Sequence, residues 1–469
     1  MTFIQVEFLA FLAVVFTVYW ALGRRLWQNI FLVVASAVFY GWVHPWFLIL
    51  LYVSAIVDYF GALGMERWPH RKGLVLLVSI GTNTAILGYY KYFDFFVVNV
   101  AAALDALGVH NSLQPLGILL PPGISFYTFQ SMAYSIDVYR GELRPRKHVL
   151  DYMLAVSLFP HLVAGPVQRA SNLLLQAETR RTFDLAMVRS GFALAMWGAF
   201  KKVVVADTVS PYVDKIFGLR EPAAPMIWAA TLGFAVQILA DFSGYTDVAR
   251  GVARMLGFEL MENFKNPYLA TNPSEFWRRW HVSFSSWIRD YLFIPLGGSR
   301  GGLWATTRAT FGAMLISGLW HGASWNFVIW GGYHAALITG YRLVTPLIPA
   351  SLRKGPLGRP GAVVIMFFFT CLGWLLFRET DGAALWGHLT RSPLGVTDDQ
   401  WVATVTMLSI TAAAATPLVL GLLVQRYLIP RIEGSAGYLP LQTTVWAAFA
   451  ASMFFFGRMS AMDFIYFQF

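Results

Sequence analysis

Apolar runs long enough to cross the roughly 30 Å of bilayer hydrocarbon as helices recur from one end of the chain to the other. They lie near residues 3–22, 30–43, 46–64, 74–90, 118–138, 185–206, 226–242, 325–344, 361–377, 403–424 and 441–457, and each predicts a helix. Three stretches depart from this pattern. Segment 149–166, VLDYMLAVSLFPHLVAGP, has basic residues on both flanks: Arg140, Arg144, Arg146 and Lys147 before it, and Arg169, Arg180, Arg181 and Arg189 after it. A full crossing would put one flank on the wrong side of the membrane, so the segment is expected to be re-entrant, turning back near Pro160 to Pro166. Segment 309–320 looks too short for an untilted span. In NPSEFWRRWHVSFSSWIRDYLFIPLGG, residues 272–298, Phe276, Trp280, Phe284 and Trp287 recur at helical spacing with Arg278, Arg279 and Arg289 on other faces. This predicts one amphipathic helix lying at the interface, with NPSE as its start signal and PLGG as its stop.

Composition places the whole chain in the bilayer. Of 469 residues, 57% are hydrophobic and only 13% charged, against about 45–50% and about 25% in soluble domains. The first segment has neither a basic residue ahead of it nor a small-residue cleavage site behind it, so it is expected to stay as a span. The excess of 35 Lys and Arg over 25 Asp and Glu then reads as topology, with no nucleic-acid partner implied. Arg24 and Arg25, then Arg67, Arg71 and Lys72, then Arg140 to Lys147, and later Arg353, Lys354 and Arg359 mark cytoplasmic loops; the link GWVHPW at 41–46 carries no Lys or Arg. The expectation is about twelve crossings in one domain over residues 1–469, with both termini outside. Cys371 is the sole cysteine, which excludes an intramolecular disulfide, a redox CxxC pair and a thiolate zinc site.

No HExxH, Walker, GxGxxG or GxSxG pattern occurs, so the chemistry must come from histidines, hydroxyls and backbone. His44, His70, His110, His148 and His388 fall in predicted loops, and His334 follows a glycine pair as a packing residue. His281 beside its arginines and His321, between two tryptophans in SGLWHGASWNF at 317–327, stand out. Asp241 and Asp247, at the end of an apolar run, are expected to be structural partners of Arg250 or Arg254.

The block NFKNPYLATNPSEFWRRWHVSFSSWIRDYLFIPLGGSR, followed by LWHGASW, resembles the membrane-bound O-acyltransferase family. The likeness is to its bacterial branch, which contains the membrane component of alginate O-acetylation and the D-alanine transferase of teichoic acids. PPGISFYTFQSMAYSIDVYRG, FPHLVAGPVQR, DFSGYTDVARG and the terminal FIYFQF extend the likeness over nearly the whole length. The resemblance implies an all-α integral membrane protein whose tilted helices ring a tunnel. It implies His321 as the active-site base, His281 as a second polar position, and Tyr466 as an acyl relay at the outer mouth. Arg278 and Arg279 are expected to hold a phosphate-bearing donor, since guanidinium forks suit phosphates. Trp280, Trp320, Asn326 and His161 complete the expected substrate-binding set. The expected donor is acetyl-CoA or another acyl thioester, used as substrate with no bound cofactor. The expected setting is the bacterial inner membrane, with lipid, polysaccharide biosynthesis machinery and a periplasmic SGNH-type acyltransferase as partners. D-alanine transfer from a carrier protein, acylation of a small molecule or lipid, and transport without chemistry stand as alternatives.

Overall fold

A computed structural model describes residues 1–163, 165–349, 358–432, 434–435 and 437–457. Every regular element among them is helical. Six helical stretches are long and apolar enough to cross a membrane: Phe47–Arg67, Pro69–Ala106, Ala224–Met255, Gly358–Arg378, Asp398–Ile432 and Tyr438–Phe456. The helices cluster into two compact units, the first comprising residues 1–192 with 249–262, and the second residues 193–248 with 263–469.

The first unit contains α1 (Val6–Ala21), α2 (Arg25–Gly41), α3 (Phe47–Arg67), α4 (Lys72–Leu87), α5 (Phe93–Ala106), α6 (Ile124–Arg140), α7 (Val149–Ser157), α8 (Phe159–Leu162) and α9 (Ala170–Glu178). Polar side chains cross-link it at depth. Arg181, itself buried, donates to the Tyr19 hydroxyl at 2.6 Å, to the Asn29 carboxamide and to the Gln176 carbonyl at 2.8 Å, while Arg25 and Asn29 reach Asp151 at 2.9 and 2.7 Å. Asp58 on α3 accepts from Ser79 and Asn83 on α4 and from Ser135 on α6. Each of these polar groups has its partner inside the protein, as a low-dielectric surrounding demands.

One expectation here is revised. The run 118–138 is helical only from Ile124, because Pro121 and Pro122 lack N–H donors and Gly123 adopts a left-handed φ of 76°. In segment 149–166, expected to turn back near Pro160 to Pro166, α7 stops at Ser157, α8 is a single turn, and residues 165–169 are non-helical. His161 sits buried in α8 with its Nε2 at 3.1 Å from the Ala155 carbonyl, which Gln130 also reaches at 2.7 Å.

α10 (Leu185–Phe200) begins in the first unit and α12 (Ala224–Met255) ends in it; α11 (Asp207–Phe217) lies in the second. The second unit continues with α13 (Pro273–Arg279), α14 (Val282–Ile288), α15 (Gly302–His321), α16 (Trp325–Val344), α17 (Gly358–Arg378), α18 (Gly382–Thr390), α19 (Asp398–Leu423) and α20 (Tyr438–Phe456). The short run at 309–320 is thus part of a full 20-residue helix, α15, long enough to cross. Lys201 and Lys202 follow α10 in a π-helical turn. Lys202 lies between Asp207 at 2.8 Å and Asp241 at 2.6 Å, and Lys201 pairs with Asp247 at 2.7 Å, so both aspartates are held by lysines that the sequence reading left unassigned. His388, expected on a surface loop, is buried on α18 with Nε2 3.3 Å from a Glu379 carboxylate oxygen.

Candidate active site

The expected interfacial helix over 272–298 is broken in the middle. Asn272 caps α13 by accepting from the Glu275 N–H at 2.8 Å, as the NPSE signal implies. The helix then ends at Trp280, and His281 takes φ 43° and ψ 54° before α14 begins. That left-handed conformation disfavours a side chain with a Cβ by about 1–2 kcal/mol. The turn is held by two backbone bonds, Lys265 N–H to the Arg279 carbonyl at 2.9 Å and Val282 N–H to the Asn263 carbonyl at 3.0 Å. The result sends the His281 ring inward. It is fully buried against Phe242 (ring centroids 4.7 Å apart), Phe284 (5.0 Å) and Trp320 (6.0 Å), and burial pushes its imidazole down to about 3.

α15 and α16 form a hairpin whose backbones touch. A Cβ on Gly318 would overlap the Phe327 carbonyl oxygen, and one on Gly331 the Met314 carbonyl oxygen. A Cβ on Gly322, just after His321, would run into the Phe327 ring. The tight turn returns α16 past the end of α15, so that His321 meets Trp320 and Trp330 (both 5.0 Å), Phe377 (5.5 Å) and Phe284 (5.6 Å). Phe284 stacks on Trp320 at 4.1 Å, and both rings touch both histidines. His281 and His321 therefore belong to one aromatic cluster.

A cavity of about 520 Å³ opens beside this cluster. Arg278, Arg289 and Arg342 line it together with Ser285, Phe284 and Ser317. On α15 its lining includes Thr310, Met314 and Ser317, one helical face that reaches His321 a turn later. On α16 it includes Ile338 and Arg342, which continue a stripe of Asn326, Trp330 and His334 at four-residue spacing. Twelve residues separate Trp330 from Arg342, an axial distance of about 18 Å. Along this path the Asn326 carboxamide, Trp330 Nε1, His334 Nδ1 and Trp277 Nε1 are buried with no hydrogen-bond partner among the described residues. Buried polar atoms of that kind mark ligand or water positions. The arginine-lined cavity thus lies on the same faces of α15 and α16 that carry His321 and Trp330 further along, beyond the cavity's own lining.

The expected residues divide accordingly. His321, His281, Trp320 and Asn326 come together, and Arg278 lies at the cavity. Arg279 instead pairs with Glu275 at 2.7 Å and donates to the Lys265 carbonyl at 3.0 Å. Trp280 packs between Phe276 and Trp374 in the core. His161 belongs to the first unit, and Tyr466 lies outside the described residues. Arg289, Arg342, Phe284, Trp330, Phe377 and Asn263 were not anticipated; only Arg342 had a signal, its place on the Asn326–Trp330–His334–Ile338 stripe.

A family model described as MBOAT, membrane-bound O-acyltransferase family, matches residues 141–377, which contain all of this cluster. The chain belongs to the membrane-bound O-acyltransferase family. Among curated proteins, this membrane-bound O-acyltransferase is 39% identical over 377 residues to the probable alginate O-acetylase AlgI of Pseudomonas putida, covering 79% of this chain and 76% of that one. It is 33% identical over 409 residues to the peptidoglycan O-acetyltransferase of Helicobacter pylori, again covering 79% and 76%. Its identity with the teichoic acid D-alanyltransferase of Bacillus subtilis is 27% over 278 residues, covering 54% of this chain and 68% of that one. The resemblance read from the RRWH and WHG blocks is thus the family itself, and the protein is a multi-pass membrane O-acyltransferase.

Proposed function

We propose that this O-acyltransferase takes an acyl group, acetyl by its likeness to the O-acetylases, from a thioester donor in the arginine-lined cavity and supplies it for O-acylation of an extracytoplasmic polysaccharide from the bacterial inner membrane. The observation that carries the proposal is the continuous α15 face from the cavity to His321. In the reaction His321 accepts the proton of the attacking hydroxyl as its oxygen bonds to the thioester carbonyl carbon. The C–S bond then breaks, and the departing thiolate takes the proton from the imidazolium. A positioned base of this kind contributes about 10²- to 10⁴-fold. The aromatic cage around the imidazole keeps water from the activated acyl group.

Arg278 and Arg342 at the cavity, beside Arg289 paired with Asp290, favour a donor with several phosphate charges, such as acetyl-CoA, over a carrier-borne arm with a single phosphodiester. The path of about 18 Å from Arg342 to the level of Trp330 suits a donor whose phosphates and thioester lie at opposite ends of a long arm. The test is acyl transfer by protein purified in lipid nanodiscs. His321→Ala should lose at least about 100-fold of thioester-dependent transfer while still folding. Arg278→Ala with Arg342→Ala should raise the donor KM more than it lowers kcat. Retention of more than about a tenth of activity in His321→Ala contradicts the role given to this base.

A further inference from the structure

We infer that Asn263 is the positioning residue of His281, holding its imidazole through a left-handed backbone conformation that is disfavoured for a side chain with a Cβ. This rests on the acyl-transfer reading above. His281 and Asn266 are the two non-glycine residues with positive φ among the described residues. Such backbone persists only where the surroundings over-determine it. Here one residue supplies three of the restraining bonds, one through its backbone carbonyl and two through its side chain. Asn263 is 1% exposed, its carbonyl accepts from Val282 N–H at 3.0 Å, and its Oδ1 accepts from Ser283 N–H at 3.2 Å and Ser283 Oγ at 2.6 Å. Both residues after His281 are thereby tied to a single asparagine, while Lys265 holds Arg279 on the other side. The Asn263 Nδ2 has no hydrogen-bond partner among the described residues, so the side chain's share of the restraint comes from Oδ1.

What the restraint secures is an imidazole placed where packing alone would favour another choice. Glycine adopts positive φ freely, and a fully apolar ring would fill the space between Phe242, Phe284 and Trp320 without burying polar nitrogens. Phe284 and Trp320 in turn touch His321, so a shift of His281 is felt at the wall on which the base rests.

The experiment is a double-mutant cycle read in kcat, donor KM and melting temperature, with detergent-purified full-length protein and acetyl-CoA as donor. Asn263→Ala should lower kcat about tenfold at unchanged donor KM. Ser283→Ala, which removes one of the bonds to Oδ1, should lower it about threefold. His281→Gly should lower kcat at least as far as Asn263→Ala, and adding Asn263→Ala to it should change kcat by no comparable factor, because glycine needs no restraint, while melting temperature falls in both backgrounds as Ser283 loses its acceptor. Should Asn263→Ala fail to fold, the threefold loss of kcat at unchanged donor KM in Ser283→Ala carries the test, and wild-type kcat there overturns the inference. Multiplying losses in the double variant, or an Asn263→Ala protein with lowered melting temperature and wild-type kcat, would assign Asn263 to general packing and overturn the inference. The underlying reading fails separately, by absence of thioester-dependent transfer in the wild type or by its survival in His321→Ala.

Discussion

His281 and His321 share two aromatic neighbours but are held by different means, one by a strained turn between two short helices and the other by the end of a long helix. For His281 the setting has a consequence in pH. Burial lowers its pKa from 6.5 to about 3, so the unfolded chain binds a proton between those values that the folded chain refuses. The contribution to stability is complete above about pH 6.5 and is lost progressively as pH falls toward 3. We expect melting temperature to fall less between pH 7 and pH 4 in His281→Asn, which tolerates positive φ, than in wild type; equal slopes would show the imidazole to be solvated. Across the same range His281 stays neutral, so an acid limb in kcat/KM near pH 6 belongs to another group. Both histidines were legible in the sequence because each sits among aromatics where a titratable group is conspicuous. Asn263 was not, since its partner residues lie some twenty positions away and only the folded turn brings them together.

Among the elements, the α15–α16 hairpin determines whether His321 meets its cage. Its closeness depends on glycines that leave room for backbone atoms, so Gly318→Ala should destabilise the protein by about 1–3 kcal/mol through overpacking against the Phe327 carbonyl. Gly340→Ala on the same helix pair, with nothing within 4 Å of the added methyl, is the control and should melt like wild type. Equal melting of the two variants would show that the hairpin relaxes. α15 was read short because Thr306, Thr307 and Arg308 interrupt the apolar run. In the fold Thr306 and Thr310 donate back to the carbonyls of Gly302 and Thr306, both at 2.8 Å, which hides their hydroxyls within the helix. The opposite error affected residues 272–298, where aromatic spacing suggested one continuous helix. Periodicity reports which side chains want burial, and it continues across a break when the residues on either side pack into the same cluster, as Phe276, Trp280 and Phe284 do.

For the whole molecule, hydropathy identified the membrane class because few charges interrupt the spans, and α20, none of whose 18-residue window is buried within the protein, shows how much apolar surface the bilayer must cover. Which ionic partners form inside the protein was not legible, since Asp207, Asp241 and Asp247 each had several basic residues to choose from. The Lys202 pairings have a further consequence for how the protein is made. A lysine near the middle of an inserting helix is disfavoured by about 2.5–3.5 kcal/mol, and α10 leads directly into two. Asp207 emerges at once, but Asp241 is synthesised about forty residues later, within α12. We expect the nascent α10 to stay at the insertion machinery until α12 arrives, so that the two leave it as a pair. Ribosome-bound chains truncated near residue 222 should leave α10 crosslinked to the translocon, whereas chains extended past residue 262 should release it; release of the shorter chain would mean that Asp207 alone suffices.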